Sequence, residues 1–313
     1  MVYIIAPDFV SFISGGNIFN SQIYKALLEL GKPVKQIGYP LAPDTLFNKD
    51  DILIFDSIFI NELDSSQMMS ITGKKYFICH LLPSMLGTGR GKKYELKILD
   101  LFDKVIVNSR FCFEALRRMG VTAEVVLIQP LIERSIEVST LDKDANALII
   151  ANWLPSKQID KFLYCLANEK KIPIGISIIG SAGLDPIYFK KCHRIISESQ
   201  ELTSKVRILG ELDRQSTLSS LAKSKLLLDC SAFETYGMAV AEAVANGVPV
   251  LTLGNGNTAN LISADSICNS IEEMVNRLIS QNWTVAKAII KDKLITDWQA
   301  FLNQFQVSEL SLF

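Results

Sequence analysis

Short apolar runs alternate along this chain with longer stretches of helical period. The runs are VYIIA (2–6), DILIFD (51–56), KKYFICH (74–80), KVIVNS (104–109) and EVVLIQ (124–129). They continue with ALIIANW (147–153), IGISIIG (174–180), VRILG (206–210), KLLLDCS (225–231) and PVLTL (249–253). Between them, segments 17–30, 92–102, 110–119, 157–168, 186–199 and 214–222 carry apolar residues at the spacing of a helix face. Strands separated by helix-length crossovers predict parallel sheets with helices packed on them, an α/β architecture. The polar stretch ERSIEVSTLDKDAN (133–146) interrupts the pattern, which then restarts. Two doubly wound, Rossmann-like domains are therefore expected, residues 1–140 and 141–296. Segment 284–305 is again helical in period, with Trp298, Phe301 and Phe305 as its apolar face.

Composition leaves this picture intact and removes several alternatives. A length of 313 residues suits two domains, and 49% hydrophobic with 21% charged residues describes a chain able to bury two cores. A net charge of −1 offers no basic stripe for nucleic acid. The cysteines, at 79, 112, 165, 192, 230 and 268, form no Cys-x-x-Cys pair, so they read as reduced thiols of a cytoplasmic protein and not as a zinc site. The start, MVYIIAPDF, lacks a basic n-region, and no apolar run reaches the roughly 18 residues that span a membrane.

The chemistry concentrates in FETYGMAVAEAVANGVPVL (233–251). Gly247 can end a helix in the left-handed conformation and Pro249 cannot continue one, so a helix over 236–246 is predicted. Its residues are Met, Ala and Val on all sides, and Glu242 is its one ionisable group. A buried carboxylate of this kind needs a partner. The first turn, around Tyr236, Gly237 and Met238, offers N–H groups that have no acceptor within the helix itself, beside a glycine, an arrangement that suits a phosphate.

Glu234 and Glu242, separated by seven residues between a Ser-x-x-Glu turn (Ser231 to Glu234) and a Gly-Val-Pro-Val strand, resemble the signature of retaining nucleotide-sugar glycosyltransferases of the GT-B fold, the glycosyltransferase group 1 or family 4 type. IIANWLPSKQ (149–158) is similar to that family's strand, turn and phosphate-binding lysine, KVIVNSRFCFEALRRMGV (104–121) to its strand-Ser-helix unit, VLIQPLI (126–132) to its next strand, and VRILGEL (206–212), ending at Leu212, to its nucleotide-base loop. The resemblance implies two Rossmann-like domains with a cleft between them and a C-terminal helix, about 297–313, returning to the first. It implies transfer of a hexose-type sugar, with retention, from UDP or GDP to an acceptor that is a small molecule, a glycan or a lipid. It implies no metal and no cofactor beyond the donor.

On this resemblance Lys157 neutralises the donor diphosphate, Glu234 holds sugar hydroxyls, Glu242 holds the ribose, and His80, closing KYFIC, contacts the donor sugar. Gly15 and Gly16, before a helix beginning near Asn17, permit close approach of phosphate and sugar. Relatives carry an arginine where this chain has Asn152, so one of two cations is missing, and Arg214 is a candidate replacement. Ser109 reads as the family's strand-end serine or as a helix cap. His193 reads as solvent-facing. GNGNTA (254–259) matches a dinucleotide fingerprint but comes too late in its domain, and is read as a shortened donor-sugar loop. GTGRGKKY (87–94) fails as a P-loop because Lys93 stands where Ser or Thr is required. Its Arg90, Lys92 and Lys93 read as a solvated loop or a patch peripheral to a membrane. The competing functional reading is a GT-B-like protein that binds a sugar nucleotide without transferring the sugar.

Overall fold

The computed structural model describes residues 1–11, 13–42, 45–135, 146–283 and 294–306. Most of the polar stretch 133–146, the first part of segment 284–305 and residues 307–313 lie outside the described residues. The chain divides into two compact units, Met1–Leu131 with the segment from Asp297, and Ile132–Thr296.

In the first unit β1 (Val2–Ile5), β2 (Val34–Ile37), β3 (Ile52–Asp56), β4 (Lys74–Cys79), β5 (Lys104–Val107) and β6 (Glu124–Leu127) form one parallel sheet. Its order is β2-β1-β3-β4-β5-β6, with Val2 opposite both Val34 and Ile52. β3 is buried along its whole length, as a strand covered on both faces must be. The hydrophobic pattern missed β2: VKQI is a short edge strand with partly exposed polar residues, so no alternation marks it. The helix Trp298–Gln306 belongs to this unit. It buries Phe301 and Phe305, its Trp298 Nε1 donates to Glu29 Oε2 at 2.5 Å, and Gln304 exchanges bonds with the Gln129 backbone at 2.8 and 3.0 Å.

In the second unit β7 (Asn146–Ile150), β8 (Gly175–Ile179), β9 (Val206–Gly210), β10 (Leu226–Asp229) and β11 (Val250–Thr252) pair in parallel in the order β11-β10-β7-β8-β9. Successive side chains serve opposite faces: Ala147 and Ile149 join a core with Trp153, Phe162 and Met274, while Leu148 joins Tyr236, Val240 and Ala241. Two cores on one sheet explain why these strands read as continuous apolar runs. The helix Ile271–Ile279 was not predicted, although Ser270 caps it through Glu273 N in a Ser-x-x-Glu spacing legible in the sequence.

Candidate functional site

The order of the second sheet reverses at β7: the chain runs outward through β8 and β9, then returns to the other side with β10 and β11. Ligands of open parallel sheets bind beyond the strand ends at such a point. The loops leaving β7 and β10 are therefore placed together. The turn Pro155–Lys157 brings Lys157 Nζ onto Glu234 Oε1, in the loop after β10, and Ala232 N donates to Ser156 O at 2.8 Å. Burial opposes charge on Lys157, but the Glu234 carboxylate outweighs it and holds the ammonium pKa above its ordinary value. Beneath the pair is Asp229, which closes β10 and accepts from Ser231 N at 3.2 Å and Thr252 Oγ1 at 2.8 Å. Its carboxyl is pushed up by burial and then by the charge of Glu234. Asp229 was not among the sequence candidates, yet an aspartate closing an apolar strand is a signal that could have found it.

Gly254–Asn257 borders Glu234 on the other side. Glu234 N donates to Asn255 O at 3.2 Å and Asn257 N to Glu234 O at 2.8 Å, and a Cβ on Gly256 would lie 2.1 Å from Glu234 O. The loop leaves the edge strand β11 and leads into the four-residue helix Thr258–Leu261, which is not the first βα unit a dinucleotide fingerprint requires. Beside these loops, Gln158, Asp160, Tyr164, Lys191, Asn255 and Glu272 line a separate cavity of about 610 Å³ that includes neither Lys157 nor Glu234.

The helix spans Met238–Ala245, shorter than the predicted 236–246. Gly237 precedes it with φ +87°, and a Cβ there would meet Thr258 Cγ2 at 2.6 Å, so Tyr236 and Gly237 lie before the first turn and only Met238 within it. Asn257 Nδ2 holds the Tyr236 carbonyl at 2.9 Å. Glu242 is 2% exposed, and its partner is Arg214, whose Nη2 donates to Glu242 Oε1 at 2.5 Å. Burial pushes the Glu242 carboxyl up and Arg214 opposes that rise. Asn152 accepts from Ser181 N at 2.9 Å and ties the ends of β7 and β8, while Leu212, after β9, packs against the core of Tyr236 and Val240.

In the first unit Gly15 and Gly16 are the opening residues of the helix Gly15–Glu29, which starts two positions before the expected Asn17 because Ser14 caps it through Asn17 N at 3.1 Å. A Cβ on Gly16 would lie 3.0 Å from the His80 ring. His80 comes directly after β4; its Nε2 is 2.9 Å from Asn20 Oδ1 and 3.5 Å from Asp56 Oδ2, and its Nδ1 is buried with no partner among the described residues. Asp56, closing β3, was also missed by sequence reasoning. Burial works to raise its pKa, yet His80 and bonds from Ile58 N and Asn20 keep it below the usual carboxylate value. Ser109 caps the helix Arg110–Met119 through Cys112 N at 3.1 Å, the second of its two sequence readings. His193 is exposed. Arg90, Lys92 and Lys93 are exposed as well, with Arg90 4.9 Å above the Tyr94 ring. No helix among the described residues is long and apolar enough to cross a membrane.

Two doubly wound units, the second with Lys157, Glu234 and Asp229 gathered at its switch-point edge, have the α/β architecture of the GT-B glycosyltransferases. The sucrose-phosphate synthase of Thermosynechococcus elongatus superposes with a TM-score of 0.75 at 16% identity, covering 97% of each chain. HepE of Anabaena, in complex with UDP and glucose, matches with a TM-score of 0.67 at 15% identity over 97% of this chain and 94% of its own. The pneumococcal O-GlcNAc transferase GtfA, in complex with UDP and GlcNAc, gives 0.54 at 16% identity over 83% of this chain, which spans only 54% of that one. Within the chain, residues 132–280 match the family described as glycosyl transferases group 1. No curated protein matches by sequence.

Proposed function

We propose that the protein is a retaining, metal-independent glycosyltransferase that moves a hexose-type sugar from a UDP or GDP donor to an acceptor hydroxyl. The observation that carries this reading is the meeting of Lys157 and Glu234 at the β7/β10 switch point, with Glu242 buried on the next helix. In the reaction the bond from the anomeric carbon to the diphosphate breaks, the acceptor oxygen bonds to the same face, and the acceptor proton passes to a phosphate oxygen. Negative charge builds on the leaving diphosphate, so fixed cations and dipoles there lower the barrier. Lys157 is the cation, and the N–H groups at Gly237 and Met238 are the dipoles. Glu234 orients sugar hydroxyls, Glu242 receives the ribose, and His80 acts on the donor sugar. Asn152, Leu212 and Tyr236 shape the donor pocket. The UDP in HepE and GtfA supports a nucleoside diphosphate as ligand.

The test is a thermal-shift titration with UDP, GDP and ADP, then an assay for diphosphate release from the matching sugar nucleotide, with and without a chelator. Stabilisation by one diphosphate and chelator-insensitive turnover are expected. No stabilisation by any of them would sink the donor reading. The second reading, binding without transfer, draws on Asn152, a neutral side chain already engaged by Ser181 N. Stabilisation without turnover would favour it.

A further inference from the structure

Arg214 is not disposed as a free cation for phosphate. It opens the helix Arg214–Lys223, after its cap Asp213, and spans two carboxylates: Nε donates to Glu133 Oε2 at 2.7 Å and Nη2 to Glu242 Oε1 at 2.5 Å. A guanidinium presents its donors in one rigid plane, so two such bonds set both the position and the rotation of what it holds. Glu133 is itself tied to the Glu242 helix: two residues on, Ser135 N donates to Asn246 Oδ1 at 2.9 Å, and Asn246 Nδ2 donates to Glu242 O at 2.7 Å. The groups acting on the Glu242 carboxyl are Arg214, its one cation among the described residues, and Glu133, which opposes ionisation. The rest of that helix is Met, Ala and Val, which offer no hydrogen bond. Without Arg214, nothing described in the structure would keep this buried carboxylate charged or in one orientation.

We infer that Arg214, anchored by Glu133, is a positioning residue that presents the Glu242 carboxylate to the ribose hydroxyls, and so makes the site prefer a ribonucleoside diphosphate over its 2′-deoxy form. The inference rests on the proposed donor reading. An oriented carboxylate accepts from vicinal hydroxyls, and a site built to bond a hydroxyl rejects the analogue lacking it, because its own buried group is then left unsatisfied. Lysine in place of Arg214 keeps the charge but loses the fork.

The experiment measures dissociation constants for UDP and 2′-deoxy-UDP, or the guanosine pair if GDP is the diphosphate that stabilises the protein. It uses the whole chain as wild type, Arg214→Lys and Arg214→Ala, at pH 6 and pH 8. Wild type is expected to favour the ribonucleotide by about ten- to a hundred-fold, the worth of one charge-assisted hydrogen bond, with little change between the two pH values. Arg214→Lys is expected to bring the ratio close to one, mainly by weakening the ribonucleotide. In Arg214→Ala the ribonucleotide should bind more weakly at pH 6 than at pH 8, because Glu242 without its guanidinium takes up a proton. If Arg214→Ala does not fold, the Arg214→Lys ratio decides. Equal weakening of both nucleotides, with the ratio kept, would mean a purely structural arginine and overturn the inference. Equal binding of both by wild type would overturn it together with the ribose role of Glu242. Failure of wild type to bind either diphosphate would instead remove the donor reading.

Discussion

Gly237, Gly247 and Gly256 allow the packing around the Glu242 helix to be tested by one substitution made three times. All three have positive φ, +87°, +66° and +77°, so alanine at any of them carries the left-handed penalty of about 1–2 kcal/mol. Restricting the unfolded chain returns about 0.4–1 kcal/mol. Gly247 has nothing within 4 Å of a built Cβ, so Gly247→Ala should cost only the difference, roughly 1 kcal/mol. At Gly237 the Cβ would lie 2.6 Å from Thr258 Cγ2, and making room in a packed region adds about 1–3 kcal/mol. At Gly256 it would lie 2.1 Å from the Glu234 backbone oxygen, which no rotamer change can move, so Gly256→Ala should cost at least as much as Gly237→Ala. The assay is urea unfolding monitored by tryptophan fluorescence, for which Trp153, fully buried, reports on this unit. The expected order of destabilisation is Gly247→Ala, then Gly237→Ala, then Gly256→Ala. Nucleotide affinity should fall in the last two and hold in the first, because only those two displace the helix N-terminus or the backbone of Glu234. If Gly237→Ala unfolded at the same urea concentration as Gly247→Ala, the close packing against Thr258 would be refuted.

Lys157→Ala should weaken diphosphate binding by about ten- to a hundred-fold, the loss of one charge-assisted hydrogen bond of about 1.5–3 kcal/mol, with Lys157→Arg recovering part of it; unchanged affinity in a titration would remove Lys157 from the phosphate site. His80→Ala should cut turnover while nucleotide affinity holds, and should also change the acid stability of the protein. The Asp56 carboxyl lies below its ordinary value, so its contribution to stability is present above about pH 4 and lost as pH falls through the depressed value. Without His80 that depression is lost, so the variant should be less stable at neutral pH and should lose less of its stability as pH falls from 7 to 3, a flatter profile that melting temperatures across this range would reveal; curves of the same shape would contradict it. Ser109→Ala should cost about 0.5–2 kcal/mol, the worth of a helix cap, with no effect on turnover, whereas a large loss of turnover would favour the reading of Ser109 as the family's strand-end serine.

The strands that fill the two sheets were legible in the sequence because burial on both faces leaves an unbroken apolar run, as in ILIF and LLL. β2 was not, because an edge strand such as VKQI keeps polar side chains that mimic a loop. Helix ends were legible where a glycine or proline dictates the backbone, as at Gly247, and misjudged at Gly237, which lies before the helix at φ +87° and so close to Thr258 that a Cβ would not fit. Lys157, Glu234 and Glu242 were singled out through the motifs around them, and their chemical types set what they can bind. Their partners were not legible: Arg214 lies 28 positions from Glu242, and Lys157 lies 77 from Glu234. Local spacing carries the periodicity of burial and the identity of charged groups. Which charge neutralises which, and which carboxylate is buried or raised, depends on the order of the strands, β10 and β8 on either side of β7, and that order exists only once the chain has folded.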